Sequence, residues 1–517
     1  MSFGPGGPGL RIDSQEMPHS SGNSVQDAAR DRDPSSRAAG SAFDNTGLWL
    51  ACVTLVFAFQ ALLIVRHIPW LDEWQALLIV EQTPSLTALF QTLRYEGHPP
   101  LWYALLAVLA RIVPFAMVLP AAGLIVAAMT QAMIQFVAPF SRAERLMLGV
   151  GEIALFEFGT ISRGLALGAL VMIAVAALWQ SRWVWLALAL LPLSEFLFGV
   201  VAVILIGLRW RERRLWAPGL ALVLAAAAFA AWAVHPAGDV VPAEKSMGVL
   251  SEVTDFVQRL GSLIVPFQTY DGAIAWDGYL PFGLGGLSGG VFLLWMWQRY
   301  AAQPAHKAAI FALIALCFAM SVAIYPLHFR HLTVVAWLVV VLTWLRAPDA
   351  EREGKRWRGW LALGAVCGIV TAGVALARPF DASPRVVAAM QRLSDGRHPW
   401  LLFPATRVPP LAALIHRGFR VPSRGCDATF VRWNETHDTI KPRVLRAALP
   451  QWAERYGESF LILEKVPRGV PLSVFRPLTG TMQGYNGQRY VIGLLGSGRP
   501  VKPLPANPCV AGLTALK

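Results

Sequence analysis

The segment IPWLDEW at residues 68–74 sets two carboxylates, Asp72 and Glu73, between tryptophans just past the first long apolar run. Acids are costly to desolvate beside a bilayer, while indoles favour its interface. The pair is therefore either a general base held at a membrane surface or a solvated pair capping a helix start, where acids are favoured. Two further boundaries carry charge. FEFGTISRG puts Glu157 at the end of one apolar run and Arg163 at the start of the next; the bland alternative is that these two simply pair with each other. YPLHFRH sets Arg330 between His328 and His331, where snorkelling is the plain reading and bidentate contact with phosphate oxygens the chemical one. A carboxylate pair, an acid with an arginine, and an arginine with histidines together suit a site for a lipid phosphate and a hydroxyl.

Those groups need elements that bring them to one level. The chain has 517 residues, 55% hydrophobic and 15% charged, a polytopic membrane composition. Long apolar runs without period-2 alternation predict helices, because a spanning backbone must satisfy its own hydrogen bonds. The candidate spans are roughly 46–65, 116–138, 146–158, 164–180, 183–193, 195–208, 215–234, 281–298, 308–326, 332–345 and 360–377, about eleven transmembrane helices. The net charge of +13 does not point to nucleic acid, since Lys and Arg gather in short loops between apolar runs. The densest of these, RWRERR at 209–214, falls inside if the N-terminus is cytoplasmic. That orientation requires residues 99–114 to lie in the interface and not to cross. Asp72, Glu157, Arg163 and Arg330 then all face outward.

Three domains are expected. Residues 1–45, rich in Gly, Ser, Pro, Asp and Arg, read as a disordered cytoplasmic tail without a cleavable signal peptide. Residues 46–377 form the transmembrane domain, with external loops at 66–115 and 235–280. Residues 378–517 interleave short strand-like runs with helical ones and read as a small extracytoplasmic α/β domain. Cys52, Cys317 and Cys367 lie in apolar runs as small buried hydrophobes. Cys426 and Cys509 are left in the polar portion, able to form a disulfide if that portion occupies an oxidising compartment. GLGGLSGG at 283–290 lacks the Lys and the preceding strand of a phosphate cradle.

LDEW at 71–74 followed by HPPLWY at 98–103 resembles the GT-C superfamily of polyprenyl-phosphate-sugar glycosyltransferases, in particular its protein O-mannosyltransferase and lipid A aminoarabinose transferase branch. SRGLALGALVMIA at 162–174 is similar to the segment after the third span. The resemblance covers roughly residues 46–345. It implies a GT-C-like glycosyltransferase in a bacterial inner membrane, working on the periplasmic side and transferring a hexose or pentose with inversion. The donor would be a polyprenyl-phosphate sugar and the acceptor a hydroxyl on a lipid, glycan or protein. Asp72 would be the general base, with Glu73 and Glu157 as companion catalytic acids. Arg163, Arg330 and His331 would hold the donor phosphate, while Glu96 and His98 are candidates for substrate or divalent-metal contact. The match departs from that branch in three places. Glu96 lies two residues before His98, where the aminoarabinose transferases have an acid directly before a Lys-Pro-Pro turn; Glu157 replaces an Asp; and Arg330–His331 replaces an Arg-Tyr pair. A transporter or flippase of lipid-linked glycan, and a catalytically silent GT-C-like assembly protein, are the competing readings.

Overall fold

The computed structural model describes residues 45–240, 248–266, 269–270, 273–274, 276, 280–346, 354–434, 442–514 and 516; the tail expected over residues 1–45 lies, but for Asn45, outside them. From Leu50 to Lys517 the chain forms one compact unit.

Its first part is helical: α1 (Thr46–Arg66), α2 (Leu71–Gln82), α3 (Leu86–Leu93), α4 (Pro100–Leu109), α5 (Phe115–Ala132), α6 (Arg142–Val150), α7 (Gly164–Ala177), α8 (Val184–Ser194), α9 (Phe196–Arg211), α10 (Ala217–Ala233) and α11 (Val249–Gly261). A two-stranded ribbon, β1 (Thr269–Tyr270) and β2 (Ala273–Ile274), precedes α12 (Phe282–Arg299), α13 (Pro304–Ala323), α14 (Phe329–Leu345) and α15 (Gly354–Ala377). Four helical segments among the described residues are long and apolar enough to cross a membrane: α1, α5 with the π-helical turn that extends it to Val137, α13 and α15. The chain is thus a multi-pass membrane protein. The remaining expected spans are also helical, but shorter. The run at 146–158 is not one helix: α6 stops at Val150 and a separate π-helical turn covers Ile153–Glu157. The stretch expected to lie in the interface forms α4, whose ten residues reach about 15 Å, half the hydrocarbon thickness.

Centrality follows composition. In α14 every residue from Leu332 to Trp344 is buried, as befits a helix that is apolar all round, so its first turn delivers Arg330 from the middle of the bundle. Close approach elsewhere depends on glycine. A Cβ on Gly168 of α7 would stand 2.3 Å from the Phe198 ring on α9. In GLGGLSGG, a Cβ on Gly289 would stand 2.0 Å from the Val257 carbonyl oxygen of α11, and one on Gly261 only 2.2 Å from the Gly285 oxygen. That motif is a small-residue face that lets two backbones touch.

The C-terminal portion holds α16 (Ser383–Leu393), β3 (Trp400–Phe403), α17 (Val408–Ile415), β4 (Phe419–Val421), β5 (Cys426–Ala428), α18 (Pro442–Tyr456), β6 (Ser459–Leu463), β7 (Phe475–Pro477), β8 (Met482–Gln483) and β9 (Arg489–Leu495). The strand order is β5-β4-β3-β6-β9-β7, with β8 also on β9. β3 runs parallel to β4 and β6, and the other pairs are antiparallel. Alternation along β3 and β6 divides the core. Trp400, Leu402, Phe460 and Ile462 pack with residues of α16 and α17; Leu401, Phe403, Leu461 and Leu463 pack with Leu445, Leu449 and Trp452 of α18. Cys426 and Cys509 are joined in a disulfide.

Candidate functional site

Asp72 and Glu73 both lie in the first turn of α2, yet successive helical residues point about 100° apart, and the two carboxylates have different surroundings. Glu73 is fully buried. One of its oxygens accepts from the Trp70 backbone N–H at 3.1 Å and lies 2.8 Å from His67 Nε2, while the other accepts from the Ser162 N–H at 2.7 Å. A buried carboxylate with this many donors is satisfied where it stands. It closes the start of α2 and pins the loop before α7 against it. Ser162 is fixed on its other side too, its hydroxyl donating to the Leu119 carbonyl at 3.1 Å.

The next residue, Arg163, caps α7 and is thereby brought beside Asp72. Arg163 Nη1 lies 3.7 Å from an Asp72 oxygen, and 36% of the Asp72 side-chain surface remains open. The closer partner of Arg163 is Glu157, whose Oε1 accepts from Nη2. The other Glu157 oxygen accepts from Trp276 Nε1 at 2.7 Å. The π-helical turn that ends in Glu157 is itself held by Gln60, which donates to the Leu155 carbonyl at 3.0 Å. Local π geometry is a frequent companion of functional sites.

Arg330 arrives from the first turn of α14. Its guanidinium lies 5.6 Å from the Trp70 ring centroid and 5.4 Å from that of Trp276. The turn before it is fixed by Arg259, which donates to the Leu327 carbonyl at 2.8 Å and to Glu252 at 3.2 Å, and by Ser321, whose hydroxyl bonds Glu252 and accepts from the Leu327 N–H. Within that first turn, His331 Nδ1 accepts from the His328 N–H at 3.1 Å. The starts of α2, α7 and α14, far apart in sequence, thus meet around the indole of Trp276.

Glu96 and His98 lie in the α3–α4 connection on the Asp72 side. Glu96 accepts from Gln75 Nε2 at 2.8 Å. Burial pushes its carboxyl up to about 7, with the Asp72 charge adding to the rise and His98 and Gln75 opposing it. For His98, burial works downward, but the carboxylates of Glu195, Glu96 and Asp72 outweigh it and raise the imidazole above its ordinary range. His98 is open to solvent while crowded by protein on its other sides, as expected of a group in a concave recess. Glu195, between α8 and α9, reaches the same recess: its Oε2 lies 3.3 Å from where a Cβ on Gly164 would be. Among the described residues no three His, Cys, Asp or Glu side chains are gathered as metal ligands. Glu96 and His98 sit beside Asp72 there, the acid held by the Gln75 amide and the imidazole open to solvent.

The C-terminal portion borders this recess. Gln75 of α2 pairs with the backbone of Val431, donating to its carbonyl at 2.7 Å and accepting from its N–H at 2.9 Å. Gln82 accepts from the Thr429 hydroxyl at 2.8 Å. Arg432 lies 3.8 Å from the Tyr95 ring centroid and bonds its hydroxyl. The Trp276 backbone N–H donates to the Tyr485 carbonyl at 3.1 Å, and the Trp276 ring packs edge-on to Trp70 at 4.7 Å.

Of the residues expected from sequence, Asp72, Glu73, Glu157, Arg163 and Arg330 are brought together, with His331 on the same first turn of α14 and Glu96 and His98 close enough to Asp72 to feel its charge. Sequence reasoning missed Trp276, Gln75, Arg259 and the part of Glu195. The tryptophan of AIAWDGY, in a loop expected to be external, was the one available signal for the first of these.

No protein-family model matches the chain, and no curated protein matches it. Two solved structures are similar. Both are crystal structures of ArnT from Cupriavidus metallidurans. The one bound to undecaprenyl phosphate is 12% identical, covering 89% of this chain and 99% of its own, with a TM-score of 0.37. The apo form is also 12% identical, covering 87% and 98%, with a TM-score of 0.40.

Proposed function

We propose that the protein is a GT-C-type membrane glycosyltransferase that moves a sugar from a polyprenyl-phosphate donor to an acceptor hydroxyl on the extracytoplasmic face, with inversion. The observation that carries this reading is one open carboxylate, Asp72, beside Arg163, whose guanidinium shares the Trp276 indole with that of Arg330.

Asp72 accepts the proton of the acceptor hydroxyl as its oxygen attacks the anomeric carbon. The bond from that carbon to the phosphate oxygen breaks, and the lipid phosphate leaves with both bonding electrons and one more negative charge than the donor phosphodiester carried. Arg163 and Arg330 face that growing charge, which is where preorganised donors lower a barrier. One base suffices for a single inverting displacement. Glu157 takes the close contact with Arg163 and so leaves an Asp72 oxygen open to substrate. Glu73 and Glu157 are positioning residues in this account, and His331 supports the start of α14.

The Cys426–Cys509 disulfide supports an oxidising, extracytoplasmic location for the C-terminal portion, as does its contact with α2 beside Asp72. That portion would select the acceptor. A bacterial inner membrane with eleven crossings and a periplasmic C-terminal domain accommodates all of this. Mass spectrometry of surface glycans and glycoproteins from cells with the protein, without it, and with Asp72→Asn tests the proposal. A sugar missing in the last two identifies the transferred residue, and unchanged glycans in both refute the activity.

A further inference from the structure

A second charged recess lies at the other end of α9. That helix has Glu195 as its cap and Arg209 in its last turn, so the fourteen-residue step between them spans about 21 Å. The recess is open on one side, has a volume of about 510 Å³ and is lined by Gln180, Ser181, Arg182, Trp185, Arg209, Arg214 and Trp216.

Arg209 is unlike a snorkelling surface arginine. It is 6% exposed, and its guanidinium lies 5.1 Å from the Trp179 ring centroid and 5.4 Å from that of Trp185. Two backbone carbonyls hold it, those of Trp179 at 2.6 Å and Arg214 at 3.3 Å. Its buried Nε has no partner, which costs free energy unless something else supplies an acceptor. The chain also bends to bring Arg214 in. Arg213 adopts a left-handed φ of 55°, unusual for a residue other than glycine, and the Arg214 N–H closes the turn on the Arg209 carbonyl at 2.9 Å. Gly219 leaves room for both indole walls: a Cβ there would stand 2.3 Å from Trp185 and 2.6 Å from Trp216. The neighbouring acid, Glu212, already accepts from Trp179 Nε1 at 3.1 Å and lies 3.8 Å from Arg214 Nε. One carboxylate thus stands against three guanidiniums.

We propose that this recess binds a phosphate group, presented by the headgroup of an anionic phospholipid in the leaflet opposite the Asp72 recess or by a free phosphate anion. Guanidiniums suit phosphate oxygens, and indole walls suit a headgroup at the interface. The site is independent of the proposed transfer reaction.

The test is native mass spectrometry and thermal unfolding of the full-length protein in neutral detergent, titrated separately with phosphatidylglycerol, phosphatidylcholine and inorganic phosphate. The variants are Arg182→Gln/Arg214→Gln, whose side chains are exposed, and a charge-matched control outside the recess, Arg211→Gln/Arg213→Asn, where Asn tolerates the left-handed turn. One phosphatidylglycerol should be retained per chain in preference to phosphatidylcholine. Retention should be about thirtyfold weaker in the recess variant, from roughly 1 kcal/mol per arginine, and unchanged in the control. Equal protection by inorganic phosphate, lost in the same variant, assigns the source as a free anion. Loss of equal size in the control, or no effect of any anion on the wild type, overturns the proposal.

Discussion

Arg163 and Arg330 lie over the same indole, with guanidiniums 5.5 Å and 5.4 Å from the Trp276 ring centroid. Two cations held this close repel each other, so the arrangement gains most when an anion joins them. Trp276 also donates to Glu157, which ties the ring to the acid that holds Arg163. Trp276→Phe keeps an aromatic face and loses the N–H. Its donor KM should rise about tenfold, the scale of one lost hydrogen bond to a charged group, as read by steady-state kinetics with varied donor.

Charge alone is not what the two arginines supply. Lysine keeps the charge but loses the planar fork that meets two phosphate oxygens. Arg330→Lys should therefore lower kcat about a hundredfold, the scale of one lost transition-state donor, with a smaller change in donor KM. A fall in KM affinity without a fall in kcat would instead make Arg330 a ground-state binding group.

Glu73 should behave differently from its neighbour. Glu73→Gln puts an amide N–H₂ among the donors of Trp70, Ser162 and His67, and unsatisfied buried groups cost about 1–3 kcal/mol each. The variant should melt several degrees lower, and any loss of activity should track the loss of folded protein in a thermal unfolding series.

The Glu96 carboxyl is pushed up to about 7 from 4.5, chiefly by burial. The folded chain therefore keeps a proton that the unfolded chain gives up within that window, so this group makes stability fall as pH rises from 4.5 through 7. The raised imidazole of His98 acts in the same direction: its contribution is complete below its ordinary value and is lost as pH rises through the raised one. Melting temperature measured across this window should decline towards alkaline pH, with a shallower decline in Glu96→Gln.

Much of the frame was legible in the sequence because the bilayer imposes it. Apolar runs became helices, and the charged boundaries at Asp72, Glu157–Arg163 and His328–His331 met because these ends of neighbouring helices share one level. Strands β3, β6 and β9 rose from the short apolar runs that suggested them. The roles of Asp72 and Glu73 were not separable from a linear string, since their divergence arises from helical rotation and from the loop that Ser162 brings in. Trp276, Gln75 and Arg259 act through partners far along the chain, such as Val431 for Gln75 and Leu327 for Arg259, and no local pattern encodes those meetings. The span at 146–158 broke because a π-helical turn interrupts an apolar run that hydropathy reads as continuous.

Asp72 is the proposed proton acceptor, and the most direct measurement is sugar transfer by purified protein in lipid nanodiscs with a polyprenyl-phosphate sugar identified from cells. Asp72→Asn should match the wild type in melting temperature and donor binding while transferring about a hundredfold or more slowly. Transfer at the wild-type rate by a folded, donor-bound Asp72→Asn protein would contradict it.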